Sequence, residues 1–287
     1  MLQIEGYDVI IDVINIIYGL DRLMKYSTLL LSDSQNDITA SIKAVKSAGF
    51  ENVFLTLNSD ITRDDISKVV SSGLVIQNIH LPYNVPCKFI NSLWKDEDET
   101  KTAIELLKNG IDIAYDFRVD TVVLHASSSW NPPEKSEIGI ANYRYLADYC
   151  ADKNITLAIE NIKRVDYVEY LLDSIPMPNI KFCFDVGHAN AFSKNLYSYN
   201  WERMLSRLHC IHMHDNDGQN DQHLIPGMGN VKWGFVLPKL MEAKKDLIIT
   251  AEVYYKGREK FYTDVSSQDE LYPKIYDALT NITKRYL

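Results

Sequence analysis

Residues 209–230 read HCIHMHDNDGQNDQHLIPGMGN, an apolar stretch that leads into His212, His214, Asp215, Asp217, Asp221 and His223 before closing on Gly227-Met228-Gly229. Imidazole and carboxylate are the ligands that suit zinc, manganese and iron. A strand end followed by a loop lets His212, Asp221 and His223 converge without helical spacing. Taken singly, His209 or His214 is an ordinary half-buried histidine and the Asn/Asp cluster an ordinary solvated loop. A metal site therefore needs matching ligands elsewhere in the chain.

Such ligands recur at the ends of apolar runs. His80 closes LVIQNIH, His125 closes DTVVLH, Glu160 closes ITLAIE, Asp185 closes IKFCFD and Glu252 closes LIITAE, while His188 follows Asp185 by three residues. One charged residue at a strand end is commonly a solvated terminus or a helix cap. Six consecutive strands ending in His, Glu or Asp point to a shared site.

The elements that must position these groups alternate regularly. Strands are expected at residues 8–14, 52–57, 74–80, 120–125, 155–160, 180–185, 208–212 and 247–252. Helical periodicity falls near 36–48, 62–71, 98–117, 137–152, 166–173, 200–206, 233–244 and 268–285. With no linker or compositional break, this pattern predicts an α/β chain forming a single-domain (β/α)8 TIM barrel over residues 1–287, its strand ends meeting at one face. Asp37, and Thr62 with Asp65, carry N-cap signatures. Asn109-Gly110 predicts a break or bend within the 98–117 segment.

Of 287 residues, 46% are hydrophobic and 24% charged, as in a globular protein with a sizeable core. The net charge of −9 disfavours nonspecific attraction to nucleic acid or anionic membrane, which needs clustered Lys and Arg. No apolar stretch is long enough to span a membrane. Cys87, Cys150, Cys183 and Cys210 lack C-x-x-C spacing and read as reduced core residues. The apolar run 9–20 sits among Glu5, Asp8 and Asp12 rather than behind a basic leader, so the expectation is a cytoplasmic protein, with homo-oligomerisation open.

The segments IHLPYN (79–84), VVLHAS (122–127), LAIEN (157–161), FDVGHANAF (184–192), IHMHDND (211–217), DQHLIPGMGNVKW (221–233) and TAEVY (250–254) resemble, in order, those of the xylose-isomerase-like barrel superfamily. That superfamily holds metal-dependent sugar isomerases and epimerases and the endonuclease IV type of abasic-site endonucleases. The resemblance implies a divalent metal cofactor, zinc or manganese, in one to three ions. It implies a four-ligand centre of Glu160, Asp185, His212 and Glu252. The further ions of endonuclease IV relatives would fall on His80, His125, His188, Asp221 and His223. His214 is an alternative to His212, which has the family's H-x-x-D spacing with Asp215.

Two reactions follow. Moving a hydrogen next to a sugar carbonyl needs an acid/base pair and a cation near the developing negative charge. Glu160 and Glu252 would be that pair in an isomerase or epimerase of a sugar or sugar phosphate. Lys256 and Arg258, in VYYKGREK after the eighth strand, and Trp233 are the expected substrate contacts. The alternative is an endonuclease IV-like multi-zinc phosphodiesterase acting on abasic-site DNA, for which the ligand-type positions are more numerous than a one-metal epimerase needs. The chain departs from both patterns at FLTLNSD (54–60), which lacks the strand-end Glu of epimerases and the basic residue of the endonucleases. Gly-Met-Gly stands where the family often has Gly-Glu-Gly. The loop holding Gly218, Gly227 and Gly229 is expected to be a mobile cover.

Overall fold

The computed structural model describes residues 24–31, 37–58, 60–83, 89–193, 196–197 and 201–287. Eight parallel strands form one sheet: β1 (Tyr26–Leu29), β2 (Asn52–Thr56), β3 (Val75–His80), β4 (Thr121–His125), β5 (Thr156–Glu160), β6 (Ile180–Asp185), β7 (Leu208–His212) and β8 (Ile249–Ala251). β1 pairs with both β2 and β8, and a parallel bridge from Met213 to Ala251 links the ends of β7 and β8. The sheet thus curls into a nearly closed barrel. Its helical layer comprises α1 (Ile38–Ala48), α2 (Arg63–Ser71), α3 (Asp98–Asp116), α4 (Glu137–Ala151), α5 (Val165–Ser174), α6 (Val186–Phe192), α7 (Glu202–Leu205), α8 (Trp233–Ala243) and α9 (Gln268–Tyr286). The (β/α)8 architecture expected from the alternation is the one the chain adopts.

Three local expectations need correction or a boundary. The first strand expected at 8–14 lies outside the described residues, and the strand between β2 and β8 in the ring is Tyr26–Leu29. Its sequence, YSTL, is short and half polar, so a count of apolar periodicity passes over it. α3 runs unbroken through Asn109-Gly110. A Cβ on Gly110 would stand 2.6 Å from Leu81 Cδ2 and 3.1 Å from Leu57 Cδ1, so this glycine serves close helix packing rather than a break. Finally, a short helix, α6, starts directly after β6, with Asp185 Oδ1 accepting from the His188 N–H as its cap. The caps at Asp37 and at Thr62 with Asp65 form as the sequence predicts.

Strand parity aims the site residues. Side chains alternate along a strand, and Val123, Ala158, Cys183 and Cys210 form a small buried cluster of their own. Two residues beyond each of them stand His125, Glu160, Asp185 and His212, on the same face. His209 has the opposite parity, and its Nε2 meets Thr121 Oγ1 at 3.0 Å instead. A much larger apolar cluster runs from strands to helices, including Val53, Leu55, Val122, Leu124 and Ile211. Cys150, Cys183 and Cys210 are free and buried. Among the described residues, no helix is long and apolar enough to cross a membrane.

Candidate metal centre at the barrel mouth

Consecutive strands β5 to β8 bring Glu160, Asp185, His212 and Glu252 together, each offering a ligand atom within 4.8 Å of the others. All four are buried. His212 Nδ1 stands 2.5 Å from Glu160 Oε1 and 3.1 Å from Glu252 Oε2. The second Glu160 oxygen lies 2.6 Å from His125 Nε2 and 3.0 Å from His80 Nε2, which makes a neighbouring cluster that shares this carboxylate. A third cluster gathers His188, His214, Asp221 and His223. Asp185 Oδ1, 3.2 Å from His214 Nε2, joins it to the first. All nine positions expected as ligands therefore converge, and His214 converges with them.

The donor set fits a cation. Nδ1 of His80, His188 and His223 faces the backbone carbonyl of Leu81 (2.9 Å), Asn161 (3.1 Å) and Glu252 (3.0 Å) respectively. An N–H donated there leaves each Nε2 with its lone pair, aimed at carboxylate oxygens that also carry only lone pairs. Acceptors facing acceptors in a buried site call for a cation between them, either protons or a metal. Asp185 Oδ2, His212 Nε2, Asp221 Oδ1 and Glu252 Oε2 are buried without a hydrogen-bond partner. Orphaned polar atoms cost about 1–3 kcal/mol each. Close approach without hydrogen-bond alignment, as between His212 Nδ1 and Glu252 Oε2, is the geometry of groups aimed at a common point.

The electrostatics agree. Burial opposes charge on His188, His212 and His223, yet the surrounding carboxylates outweigh it and raise the pKa of all three, of His188 and His212 strongly. Burial likewise opposes charge on Glu160, Asp221 and Glu252, and the imidazoles nonetheless hold their carboxyls below the usual carboxylate range. At His125 burial wins, and its pKa is lowered. A buried site of His, Asp and Glu that favours positive charge at its centre has the donor types of a divalent-metal site.

The loop from β7 to α8 has a scaffold of its own. Asp215, fully buried, accepts from the N–H groups of Asn216 (2.9 Å), Gly227 (2.8 Å) and Val231 (3.1 Å) and from Trp233 Nε1 (3.0 Å). Trp233, expected at the substrate, is thus buried and spent on Asp215. A Cβ on Gly229 would stand 2.3 Å from Asp215 Oδ1 and from the Asn216 carbonyl, so the second glycine of Gly-Met-Gly is here a packing requirement, while the first takes a positive φ of 99°. Arg258 also turns to this loop, donating from Nε to the Gln222 carbonyl (2.5 Å) and from Nη2 to that of Asp221 (2.9 Å). Its neighbour Lys256 is exposed. The stretch expected to be a mobile cover is therefore tied down at both ends. Two aromatic groups that strand-end spacing could not reveal complete the wall. Tyr254 donates its hydroxyl to Glu252 Oε1 (3.1 Å), and the Tyr83 ring packs 4.3 Å from that of His125. By contrast, a groove of about 530 Å³ beside Trp201, Leu205 and Phe235 lies among the outer helices and holds none of these ligands.

A family model described as the xylose isomerase-like TIM barrel matches residues 42–277. The chain belongs to that family. An uncharacterized protein of Sinorhizobium fredii is 25% identical over 220 residues, covering 72% of this chain and 67% of its own length. An uncharacterized protein of Methanocaldococcus jannaschii is 28% identical over 194 residues, covering 61% of this chain and 64% of its own length. This family member therefore spans about two thirds of each relative. Similar solved structures include a D-tagatose 3-epimerase-like protein, with TM-score 0.71 and 19% identity over 92% of this chain and 100% of that one. An L-ribulose 3-epimerase gives TM-score 0.68 and 12% identity over 92% and 97%. AP endonuclease, family 2 from Brucella melitensis gives 0.62 and 15% over 81% and 93%. At these identities the likeness establishes the shared barrel.

Proposed function

We propose that the protein is a metal-dependent isomerase or epimerase acting on a sugar or sugar phosphate. The observation that carries this is the placement of Glu160 and Glu252 on either side of Asp185 and His212, both carboxylates within 3.1 Å of one imidazole nitrogen. These four residues would hold a divalent cation, which would supply electrostatic stabilisation for negative charge on the substrate's carbonyl oxygen. Glu252 is the better-placed base, because Tyr254 donates to its Oε1 and fixes the carboxylate's orientation, while Oε2, which lacks a hydrogen-bond partner and faces the centre of the quartet, would stand next to the hydrogen on the carbon beside the carbonyl. In an isomerisation Glu252 would return the same proton to the neighbouring carbon; in an epimerisation Glu160 would start the cycle holding a proton shared with the imidazoles of His80, His125 and His212 and would give it to the opposite face, after which Glu252 loses its proton to solvent and Glu160 regains one. Lys256 is available to an anionic end of the substrate, whereas Arg258 serves the loop. The epimerases among the structural neighbours support a sugar as the substrate class.

A second reading, an endonuclease IV-like phosphodiesterase, has its own support. Glu160 is shared between two clusters and Asp185 joins the third, so the ligand groups are contiguous as a multi-ion hydrolase requires. The net charge of −9 weighs against a DNA substrate. Ketoses and their phosphates, assayed beside an abasic-site duplex with manganese and with zinc, separate the two. Wash-in of solvent deuterium next to a sugar carbonyl, abolished in Glu252→Gln, is the expected result. Strand cleavage at low enzyme, lost in His80→Ala and His125→Ala, with no wash-in on any sugar, would overturn the proposal in favour of the hydrolase.

A further inference from the structure

We propose that Lys163 recognises a phosphate on the substrate, so that the sugar handled at the barrel mouth is a phosphate monoester whose ester end lies over the β4–α4 loop. Such selectivity rests on the sugar reaction proposed above and narrows its substrate class to esters. Lys163 stands in the turn between β5 and α5, three residues beyond Glu160, and belongs to none of the ligand clusters.

Its ammonium is placed one ring away from the ligand groups. Phe192 follows His188 by one turn of α6, and the two rings stack with centroids 5.8 Å apart. Lys163 Nζ lies 5.8 Å from the centroid of that same phenyl ring. Trp130 meets Phe192 edge-on at 5.6 Å and walls its outer side. A sugar with its carbonyl at the quartet of Glu160, Asp185, His212 and Glu252 therefore brings its far end to Lys163 when it extends over His188 and Phe192.

The local charges leave this cation for a ligand. Asp166 takes Lys135 Nζ at 2.7 Å and Arg164 through Nε at 2.8 Å and Nη2 at 2.9 Å. Lys163 is half-buried and, among the described residues, pairs with no carboxylate. One of its three N–H groups donates to the Ser128 carbonyl (3.3 Å), which leaves two. An ammonium partly withdrawn from water and short of acceptors favours a multiply charged oxyanion, and a phosphate monoester brings about −1.5 to −2 charge and three acceptor oxygens. The loop beneath is held in place: Asn91 accepts from the Ser128 N–H at Oδ1 (3.0 Å) and donates from Nδ2 to Ser128 Oγ (3.2 Å), and Arg164 Nη1 donates to the Trp130 carbonyl (3.3 Å). Ser127, two residues past His125, is buried with no partner for its hydroxyl, which supplies a further donor beside Ser128. Lys256, after β8, is exposed, so fixing its side chain on a ligand costs more entropy.

The test separates recognition of phosphate from turnover. Calorimetry on the metal-loaded protein measures binding of sorbitol 6-phosphate and of sorbitol, neither of which has a carbonyl to react, and deuterium wash-in compares ketose phosphates with the free ketoses. The parent should bind the ester roughly 10–100-fold more tightly than the free polyol, the worth of hydrogen bonds to a charged group, and Lys163→Met should erase most of that advantage while Lys163→Arg keeps it. Equal binding of ester and polyol by the parent overturns the proposal. So does an ester advantage kept in Lys163→Met, the phosphate then resting on the metal, or one lost only in Lys256→Met. An advantage that depends on Lys163, with no wash-in on any sugar, upholds the phosphate site and refutes the reaction. Wash-in on free ketoses with no preference for their phosphates upholds the reaction and refutes the site.

Discussion

Glu160→Gln is the sharpest test of a metal centre at this barrel mouth, because Glu160 belongs to three of the four ligand clusters that the described residues form. The substitution keeps shape and volume while replacing one carboxylate oxygen with an amide N–H. Loss of an outer-shell partner typically lowers metal affinity by about 10–100-fold, so losing a shared, directly facing carboxylate should cost at least about 100-fold. With free metal at 100 times the parent's Kd, binding stabilises the parent by ~2.7 kcal/mol, whereas a 100-fold weaker variant gains only ~0.4 kcal/mol. For a chain of this size 1 kcal/mol moves Tm by roughly 2–4 °C. Metal should therefore raise the parent's Tm by roughly 5–11 °C and that of the variant by no more than about 2 °C.

The assay is thermal melting of chelator-stripped protein with and without zinc or manganese, paired with elemental analysis. His209→Gln is the control, since His209 has the wrong strand parity and contacts Thr121. It should retain the full shift. If Glu160→Gln retained it as well, with the metal content of the parent, the shared-carboxylate assignment would be wrong.

Other outcomes follow from the same geometry. Without metal, the raised pKa values of His188, His212 and His223 give stability that is present below the ordinary imidazole value near 6.5 and lost as pH rises through the folded-state values. The depressed carboxyls of Glu160, Asp221 and Glu252 give stability present above about pH 4 and lost as pH falls through theirs. Chelated protein should thus be most resistant to urea in mildly acidic buffer and weaken toward pH 9, with the metal-loaded form much flatter; parallel curves would contradict this. Gly139→Ala places a Cβ 2.1 Å from the buried Trp94 ring, itself fixed by a bond from Nε1 to the Ala126 carbonyl. Overpacking of about 1–3 kcal/mol or more should exceed the helix-propensity gain of about 1 kcal/mol, so a raised urea midpoint would refute the clash. Asp215→Asn, which spoils a carboxylate accepting four N–H groups, should cost about 3 kcal/mol and speed exchange in residues 217–229, judged by denaturation and hydrogen exchange.

Which of these residues a sequence can disclose depends on whether a period or a contact places them. Glu160, Asp185 and His212 are legible because each ends an apolar run, and the two-residue repeat that turns Ala158, Cys183 and Cys210 inward must turn them inward too. The same arithmetic dismisses His209, and it places seven of the eight strands. It cannot find Tyr26–Leu29, whose strand character comes from neighbours on both sides rather than from its own four residues. Gly110 misleads for a similar reason: the sequence shows a poor helix former, and only Leu81 and Leu57 show why a side chain has no room. Trp233 and Arg258 have the chemistry of substrate contacts but are committed to Asp215 and to the loop carbonyls, commitments made across the fold. His214 lies between the two cases. Its type and its place two residues past His212 make it an alternative to His212, and strand parity, which the two share, cannot choose between them. What brings its ring into the cluster is the missing side chain at Gly187, twenty-seven residues earlier in the chain: a Cβ there would fall 2.1–2.3 Å from three atoms of this imidazole, a fit made across the fold that neither segment shows alone.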